Sequence, residues 1–540
     1  MSLISLLVKD ICVSPHIAED DVMLLATEKL NKTRISLNPV SLRIYKRSVD
    51  ARKKDNIKLV YTVCAECEVS SPVDEEILGR HGVFVLREPS LDIKCGSKQM
   101  DARPVVVGFG PAGMFCALLL AEHGYRPIVI ERGDDVDTRL ESKMHFYDTH
   151  KLDPESNVQF GAGGAGTFSD GKLVTRINDS ACSYVLRTMY ELGAPEEILT
   201  RAKPHVGTDK LLSVVRNAHR RIRELGGEIY YRTRLDGIQF DSAGNVRSVT
   251  VNGTQSIECG ALCLCIGHSA RDTYAMLMKS GINLVPKPFS VGVRIEHLRT
   301  DIDRAMYGDE SLSEILGPAE YNLSYNTKKR GVYTFCMCPG GEVVAAASEE
   351  GGVVVNGMSN YKRDGINSNC AVAVSVFESD YGGTVESAIA FQRSLERAAF
   401  MAGGGEYAAP VTTLGDFFDK STGTAPTRVR PTYMGGSNYR LCNFSDFCPE
   451  FVYSSLRDGI ASFDRKISGF ASRDAILSAF ETRTSAPVRI LRTESRYVEG
   501  HENFYPCGEG AGYAGGITSA AVDGLRTAIE IIGRYSPPNC

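Results

Sequence analysis

The chain of 540 residues is 43% hydrophobic and 24% charged with a formal net charge of −5, the balance of a globular protein long enough for two to four domains. That acidic balance gives no general attraction to nucleic acid or an anionic membrane, and the apolar runs, broken by Gly and Pro, fall short of the ~20 residues of a membrane span. Sixteen cysteines in so long a chain, several in apolar runs (Cys116, Cys263, Cys265), read as reduced packed thiols and not as a secreted disulfide framework.

The start, MSLISLLVKDICV, has no cationic segment and soon turns acidic at Glu19, Asp20 and Asp21. No signal peptide is expected. A cytoplasmic location is expected, with an organellar address read by another route left open. Residues 1–98 form the first unit. Strands are expected over Leu3–Ile11, Ser41–Tyr45 and Ile57–Glu68, with a helix over Asp20–Lys32. This β-α-β-β order suggests a small α+β, ferredoxin-like domain. Arg47, Arg52, Lys53 and Lys54 cluster between its last two strands and read as a solvated connection. Cys64 and Cys67 make a C-x-x-C inside a strand. Its positions point to opposite faces and no second C-x-x-C exists, so no metal site is expected.

Residues 99–275 begin with VVVGFGPAGMFCALLLAEHGYRPIVIERG at 105–133. Three valines form a buried strand. Gly108, Gly110 and Gly113 follow in G-x-G-x-x-G spacing around Pro111 and Ala112, then a helix from Met114 to His123. A second strand, Pro127 to Ile130, ends on Glu131. The first Gly allows a tight turn, the second lets a pyrophosphate approach the backbone, and the third lets helix and strand pack closely. The helix start offers free N–H groups to phosphate, and Glu131, about twenty residues on, can bind ribose hydroxyls and repel a 2′-phosphate. Strand, glycines, helix, strand and acid in this order point to a bound dinucleotide. Further on, a helix is expected over Leu211–Arg223, a strand over Glu228–Arg232, and a central strand in GALCLCIG at 260–267.

Residues 276–480 have a different texture, with scattered Gly and β-rich runs such as Val353 to Val355. They read as an inserted α+β substrate or cap domain. Residues 481–540 return to the first sheet through strand, Gly-rich loop and helix over Phe504–Ile532. The expected architecture is therefore α/β: a discontinuous Rossmann-like domain, an insert, and the small N-terminal domain. No second strand–G-x-G-x-x-G–helix unit occurs, so a nicotinamide would bind only transiently.

Three further Gly-rich loops carry the chemistry. In NVQFGAGGAGTFSDGKL, Gly161, Gly163, Gly164, Ala165 and Gly166 give a bare backbone that can lie against a ring or phosphate. Gln159, Thr167, Ser169 and Lys172 supply hydrogen bonds. The second loop is Gly267 to Asp272. The third is GEGAGYAGGIT, from Gly508 to Thr518. A helix start beside Gly515 and Gly516 can stabilise negative charge on a ring.

These motifs resemble the uncharacterised FAD-dependent dehydrogenase (NAD(FAD)-utilising dehydrogenase) family, two-domain flavoproteins related to the glutathione-reductase type. The resemblance rests on GFGPAGMF with IERG, FGAGGAGTFSDGKL, IGHSARDT, and ETRTSAPVRI followed by YPCGEGAGYAGGITSAA. It covers most of residues 100–540. It implies FAD, with Gly108, Gly110 and Gly113 at the pyrophosphate, Glu131 at the adenosine ribose and Arg132 by the same edge. It also implies Gly161 to Gly166 beneath the flavin and pyrophosphate, and Gly267 near the cofactor. Glu509 would stand by the ribityl chain, where an Asp is commoner, and Gly516 and Ile517 at the pyrimidine end.

The function read from this is an FAD-dependent oxidoreductase acting on a small-molecule substrate by hydride or electron transfer through flavin N5, with NAD(P)H as a transient reductant. The alternatives are a flavoprotein acting on tRNA, or an FAD-bound scaffold. Lys172 and His268 are the polar candidates for catalysis. Lys172 can equally be a phosphate counter-charge, and His268 a cap after its strand. Cys507, directly before GEGAG, reads as a small buried residue with no cysteine adjacent in sequence. Substrate, electron acceptor and oligomeric state are not legible.

Overall fold

The computed structural model describes residues 2–87, 91, 93–327 and 329–538. Met1 and residues 88–90 and 92 of the first sequence unit, residue 328 of the third and residues 539–540 of the last lie outside the described residues. The N-terminal unit has strands Ser2–Val13, Asn38–Asp50, Lys58–Val69 and Val83–Val85, and helices Glu19–Asn31 and Glu75–Arg80. The second, third, first and fourth strands lie side by side in that order, every pair antiparallel, as in a split β-α-β. Val22, Ala26 and Leu30, four residues apart, form the buried stripe of the longer helix, in one core with Leu6, Val8, Leu59, Tyr61 and Val63. Sequence periodicity does not reveal the last helix and strand, which are six and three residues long. Asp74 starts that helix by accepting from the N–H groups of Glu76 and Ile77.

The expected solvated basic connection is only partly solvated. Arg47 N donates to Thr200 O at 2.7 Å, its carbonyl accepts from Ala202 N at 2.8 Å, and its guanidinium donates to Ile315 O at 3.1 Å. Arg47 thus fastens the small domain to both neighbours. Arg52 is spent on Asp50.

The sheet that positions the site is parallel throughout, in the order Phe504–Pro506, Leu262–Leu264, Val105–Val107, Ile128–Ile130, Glu228–Tyr230. Its central strands are wholly buried, because helices Pro111–Glu122, Thr208–Glu224 and Ile517–Arg534 share one core on the sheet and a second core holds the antiparallel strands Leu235–Phe240, Val246–Val251 and Gln255–Glu258. Helix Pro111–Glu122 packs along Ile517–Arg534, so the first dinucleotide helix lies against one drawn from the end of the chain.

The inserted region builds a seven-stranded sheet around Phe289–Leu298 and Asn367–Val376, ten-residue partners in continuous antiparallel register. Helices Val385–Ala402 and Glu450–Asp464 pack on it. The chain leaves and returns through Leu284–Pro286 and Val488–Ile490, which pair antiparallel and hold the two crossings together. Of the β-rich run at 353–355, only Val355 enters a strand, Val355–Met358; Val353 and Val354 are buried in a loop, so core packing and not sheet pairing explains their branched side chains. Among the described residues no helix is long and apolar enough to cross a membrane.

Candidate functional site

A cavity of about 310 Å³ runs along the carboxyl ends of the parallel strands, where an open α/β sheet holds its ligands. At one end Gly108 turns the chain with φ of +95°, and an added Cβ would stand 2.4 Å from the Cys265 carbonyl oxygen. Gly110 then starts the helix with no capping side chain, and Pro111 occupies the first turn. The N–H groups of that turn have no intrahelical acceptor and face an anion-binding position.

Glu131 closes this end. Its Oε2 accepts from Phe109 N at 2.8 Å, and its Oε1 accepts from Gly133 N at 3.0 Å and Gly161 N at 2.9 Å. The carboxylate thus ties both glycine loops together before any ligand binds. With about four lone-pair sites on a carboxylate, one direction stays open toward the cavity it lines. Arg132 lies over the Phe160 ring at 4.1 Å and pairs with Glu155 and Asp272, both at 3.0 Å. Its charge is spent, leaving a flat guanidinium as cavity wall.

The loop at 157–168 is shaped by a residue the sequence reading passed over. Arg139, on helix Val136–Thr149, is 0% exposed and has no carboxylate within ion-pair distance among the described residues. Its Nε donates to Asn157 O at 2.8 Å, Nη2 to Val158 O at 2.8 Å, and Nη1 to Ala162 O at 2.7 Å and Gly164 O at 2.8 Å. Burial lowers its pKa to about 10, while Glu131 and Asp134 oppose the fall, so it stays charged. Nothing in the sequence marks this arginine, since it sits in an ordinary amphipathic helix.

At the far end the cavity is lined by Lys172, His268, Glu509, Gly515, Gly516 and Ile517, with Cys336 and Glu481 from the insert. Lys172 stands 3.2 Å from buried Asp170 and donates to Met337 O. Burial pulls its pKa down, but Asp170 and Glu320 outweigh that and hold it above its ordinary value. Arg363 also pairs with Asp170, its Nε at 2.8 Å from Oδ1. His268 is buried, with Nδ1 2.8 Å from Ser269 Oγ. Burial, then Arg483 and Arg271, push its pKa down to about 3. Its ring is therefore neutral at neutral pH and can orient a ligand but holds no spare proton. Burial raises Glu509 to about 7, so near neutrality a protonated carboxyl that can donate a hydrogen bond coexists with the carboxylate.

His205, paired in a bridge with Lys172, is likewise held down to about 4 by burial and then Arg363. A histidine with a depressed folded pKa binds its proton more readily when unfolded. Its contribution is full above about pH 6.5 and is lost as pH falls toward 4. Chemical denaturation of the wild type between pH 7 and 4 should show stability falling by a few kcal/mol, and His205→Gln should remove part of that slope. A slope identical in the two proteins would exclude His205 as its source.

The structure brings Gly108, Gly110, Pro111, Ala112, Glu131, Arg132, Gln159, Gly161, Gly164, Ala165, Gly166, Lys172, Gly267, His268, Glu509, Gly515, Gly516 and Ile517 to one cavity. Gly113, Gly163 and Gly508 do not line it. At Gly113 an added Cβ would fall 1.9 Å from Gly108 O, at Gly163 2.0 Å from Thr167 Oγ1, and at Gly508 2.7 Å from the Ala112 Cβ. These three serve packing. Cys507 is buried as read, but in space it meets Cys265, with Cys116 and Cys263 nearby. The sequence reading also missed Arg234, Ser269, Thr273, Asn356, Glu481 and Arg483, which line the cavity from separate elements. Glu481 and Arg483 lie within the quoted ETRTSAP, and Ser269 and Thr273 within IGHSARDT; Arg234 and Asn356 carry no local signature.

The glycines supply a test of fit. At Gly515 and Gly516 an added Cβ meets nothing within 4 Å, and at Gly110 its nearest neighbour is Gly164 Cα at 3.7 Å. Protein packing does not require glycine there, whereas an extended dinucleotide lying on the backbone would. Gly110, Gly164 and Gly516 face the same crevice, which joins an anion-binding turn to a second helix start. The residues present fit FAD.

Fold and site define a mixed α/β protein with a crevice at the carboxyl ends of a parallel sheet and an inserted, mainly antiparallel sheet. Residues 288–484 match the family described as FAD-dependent protein, C-terminal domain-like, and residues 8–66 match a domain of unknown function, DUF8436. The chain is 47% identical over 524 residues to an uncharacterised protein of Clostridium beijerinckii, across 96% of this chain and 98% of that one, and belongs to the same family. Among solved structures it is similar to CtdE in complex with FAD, at 14% identity over 79% of this chain and 84% of that one (TM-score 0.32). It is also similar to halogenase PltM, at 11% identity over 79% and 67% (TM-score 0.37), and to L-amino acid deaminase from Proteus vulgaris, at 9% over 83% and 94% (TM-score 0.35).

Proposed function

We propose that the chain is an FAD-dependent oxidoreductase acting on a small-molecule substrate, in the manner of a flavin dehydrogenase. The observation that carries this is the single crevice in which bare glycines unneeded by packing meet Glu131, two uncapped helix starts and the insert's polar groups. FAD would supply hydride or electron transfer at its flavin ring. The chain's own groups bind and orient. The first turn after Gly110 receives the pyrophosphate, Glu131 a ribose hydroxyl, and Glu509 a hydroxyl of the ribityl chain. The helix start at Gly516 and Ile517 faces the ring edge where negative charge accumulates on reduction. Lys172, fixed as a cation by Asp170, holds the cavity's polarity, and His268 accepts or donates one hydrogen bond as a neutral ring. The insert shapes the substrate side, and NAD(P)H would reach the ring only as a transient reductant.

The purified protein is expected to be yellow, with visible flavin bands bleached by NADH or NADPH. Gly516→Val places a side chain in open cavity space, so it should lose flavin while its far-UV circular dichroism and melting stay close to wild type. A colourless wild type that takes up no added FAD would sink this reading, as would full flavin retention by Gly516→Val.

A further inference from the structure

Most cysteines here are inert by placement. Cys116, Cys263 and Cys507 are fully buried behind the first dinucleotide turn, Cys265 is nearly so although it reaches the cavity wall, and burial or neighbouring thiols raise Cys263, Cys265 and Cys507. Cys336 is more exposed than these, and its thiol is lowered where theirs are raised. It lines the cavity, only partly buried, opposite the flavin-end groups Glu509, Gly515 and Gly516. It sits in the sequence Cys336-Met337-Cys338, where strand Gly331–Cys338 loses register with Asn367–Val376 between Phe335 and Cys338. Its φ is +45°, a conformation rare for a side chain of this kind. An undisturbed strand would hold residues two apart on one face but separated. The break instead folds Cys338 back, and its Sγ lies 3.4 Å from Cys336 O.

Two cations, buried Arg294 and half-buried Lys172, brace this turn. Arg294 donates from Nη1 to Cys336 O at 2.8 Å, with the same atom 4.0 Å from Cys338 Sγ, while Lys172 donates to Met337 O. Arg294 is fixed by Glu481, by Asn356 at 2.7 Å and by Asn369 at 3.0 Å. The charged and titratable groups around the Cys336 thiol are Cys338 on its own strand, Cys370 on the adjacent strand, Arg294 and Glu481 two and three strands away, Lys172 and Asp170 on the glycine loop, and Glu509 across the cavity. The Cys338 hydrogen bond lowers the Cys336 thiol most. Burial opposes it, and Arg294 and Lys172 lower it further, to about 5. A thiolate beside a thiol, facing the cavity, is the arrangement from which a disulfide forms.

We propose that Cys336 and Cys338 are a dithiol–disulfide couple that exchanges electrons with the flavin, Cys336 being the cavity-facing member and Cys338 its partner. The exchange rests on the FAD reading above. The Cys336 thiolate and Cys338 thiol give up two electrons and one proton as the S–S bond forms. The oxidised flavin takes up both electrons and that proton. In reverse, reduced flavin opens the disulfide. The insert thereby brings a second redox centre to the ring, able to pass reducing equivalents toward the substrate side.

Anaerobic dithionite titration of the full-length yellow protein, pre-oxidised with diamide, tests the exchange. Wild type should take up twice the reducing equivalents per flavin of Cys336→Ser or Cys338→Ser, both still yellow. Peptide mass analysis should find the 336–338 disulfide after diamide and not after phosphine reduction. In the reduced protein, alkylation of Cys336 by iodoacetamide should reach its plateau by about pH 6, against the ordinary thiol midpoint near 8.5. A yellow wild type that takes up no more equivalents than its variants and yields no 336–338 disulfide would overturn the couple while leaving the FAD reading intact. A colourless protein that still forms the disulfide with diamide would overturn the FAD reading and the exchange, and leave the couple standing.

Discussion

Replacing Arg139 with methionine should strip the protein of flavin. The guanidinium donates to the carbonyls of Asn157, Val158, Ala162 and Gly164, all in the loop that lies along the cavity. A loop this rich in glycine has little side-chain packing of its own, so its shape depends on what holds those carbonyls. Methionine fills much of the volume and donates nothing, taking the guanidinium donor from all four carbonyls and leaving Ala162 O and Gly164 O with only the longer contacts to Thr167. Removing one side of a buried, charged hydrogen-bond set costs about 3–5 kcal/mol. If about 3 kcal/mol of that falls on the loop's bound conformation, FAD affinity drops by more than a hundredfold. Arg139→Lys should rescue little, because an ammonium has three donors on a point and cannot span carbonyls on both sides of the loop. The measurements are the flavin-to-protein ratio after purification, FAD titration of the apoprotein, and limited proteolysis within 157–168. Full flavin content in Arg139→Met would show that the loop holds its shape without the arginine.

Arg139 also shows where sequence reading stops. The strand–glycine–helix–strand unit at 105–131 is legible because every step is local: a turn needs Gly108, a close helix needs Gly113, and the acid ends the next strand. The glycine loops are legible as ligand-facing because so many bare positions occur together. Within them, sequence does not separate Gly516, which faces open cavity, from Gly163 and Gly508, which are filled against protein atoms. That distinction depends on what lies opposite. Arg139 and Arg294 are illegible for the same reason, since each acts through partners tens to hundreds of residues away. The inserted sheet's central strands alternate, with Phe289, Val291, Val293 and Ile295 in the core, but both faces are buried, so the alternation does not mark a solvent face. Cys336 and Cys338 are plainly adjacent in the sequence, but only the broken register turns their proximity into a site.

The other large effect is expected at Glu396. This carboxylate is 2% exposed and accepts from Arg271 Nη2 at 2.8 Å, Arg483 Nη2 at 3.0 Å and Thr482 Oγ1 at 2.7 Å. Arg271 stands on a helix of the dinucleotide domain, Glu396 on a helix of the insert, and Arg483 on the segment leading back between them. Burial works against the charged carboxylate, but Arg483 and Arg271 outweigh it and hold Glu396 far below the usual range. Glu396→Ala leaves Arg483 with only Ser348 Oγ, at 2.6 Å, among the contacts of its guanidinium, and Arg271 with neutral Gln392 Oε1, at 2.9 Å, and half-exposed Glu349. The cost should be about 3–5 kcal/mol, read as a lower denaturant midpoint and separate unfolding of insert and sheet domain. Because Glu396 opposes the two arginines at His268, its loss should also hold that ring still more firmly neutral. Removing all three charges as Glu396→Leu, Arg271→Met and Arg483→Met should recover most of the lost stability, since a packed apolar replacement of a buried ion cluster is often neutral or better. Recovered stability without recovered flavin binding would show that the cluster sets how the insert sits over the cavity. A triple variant as unstable as Glu396→Ala would instead place the cost in shape and packing, and the ion cluster would lose its claim to join the domains.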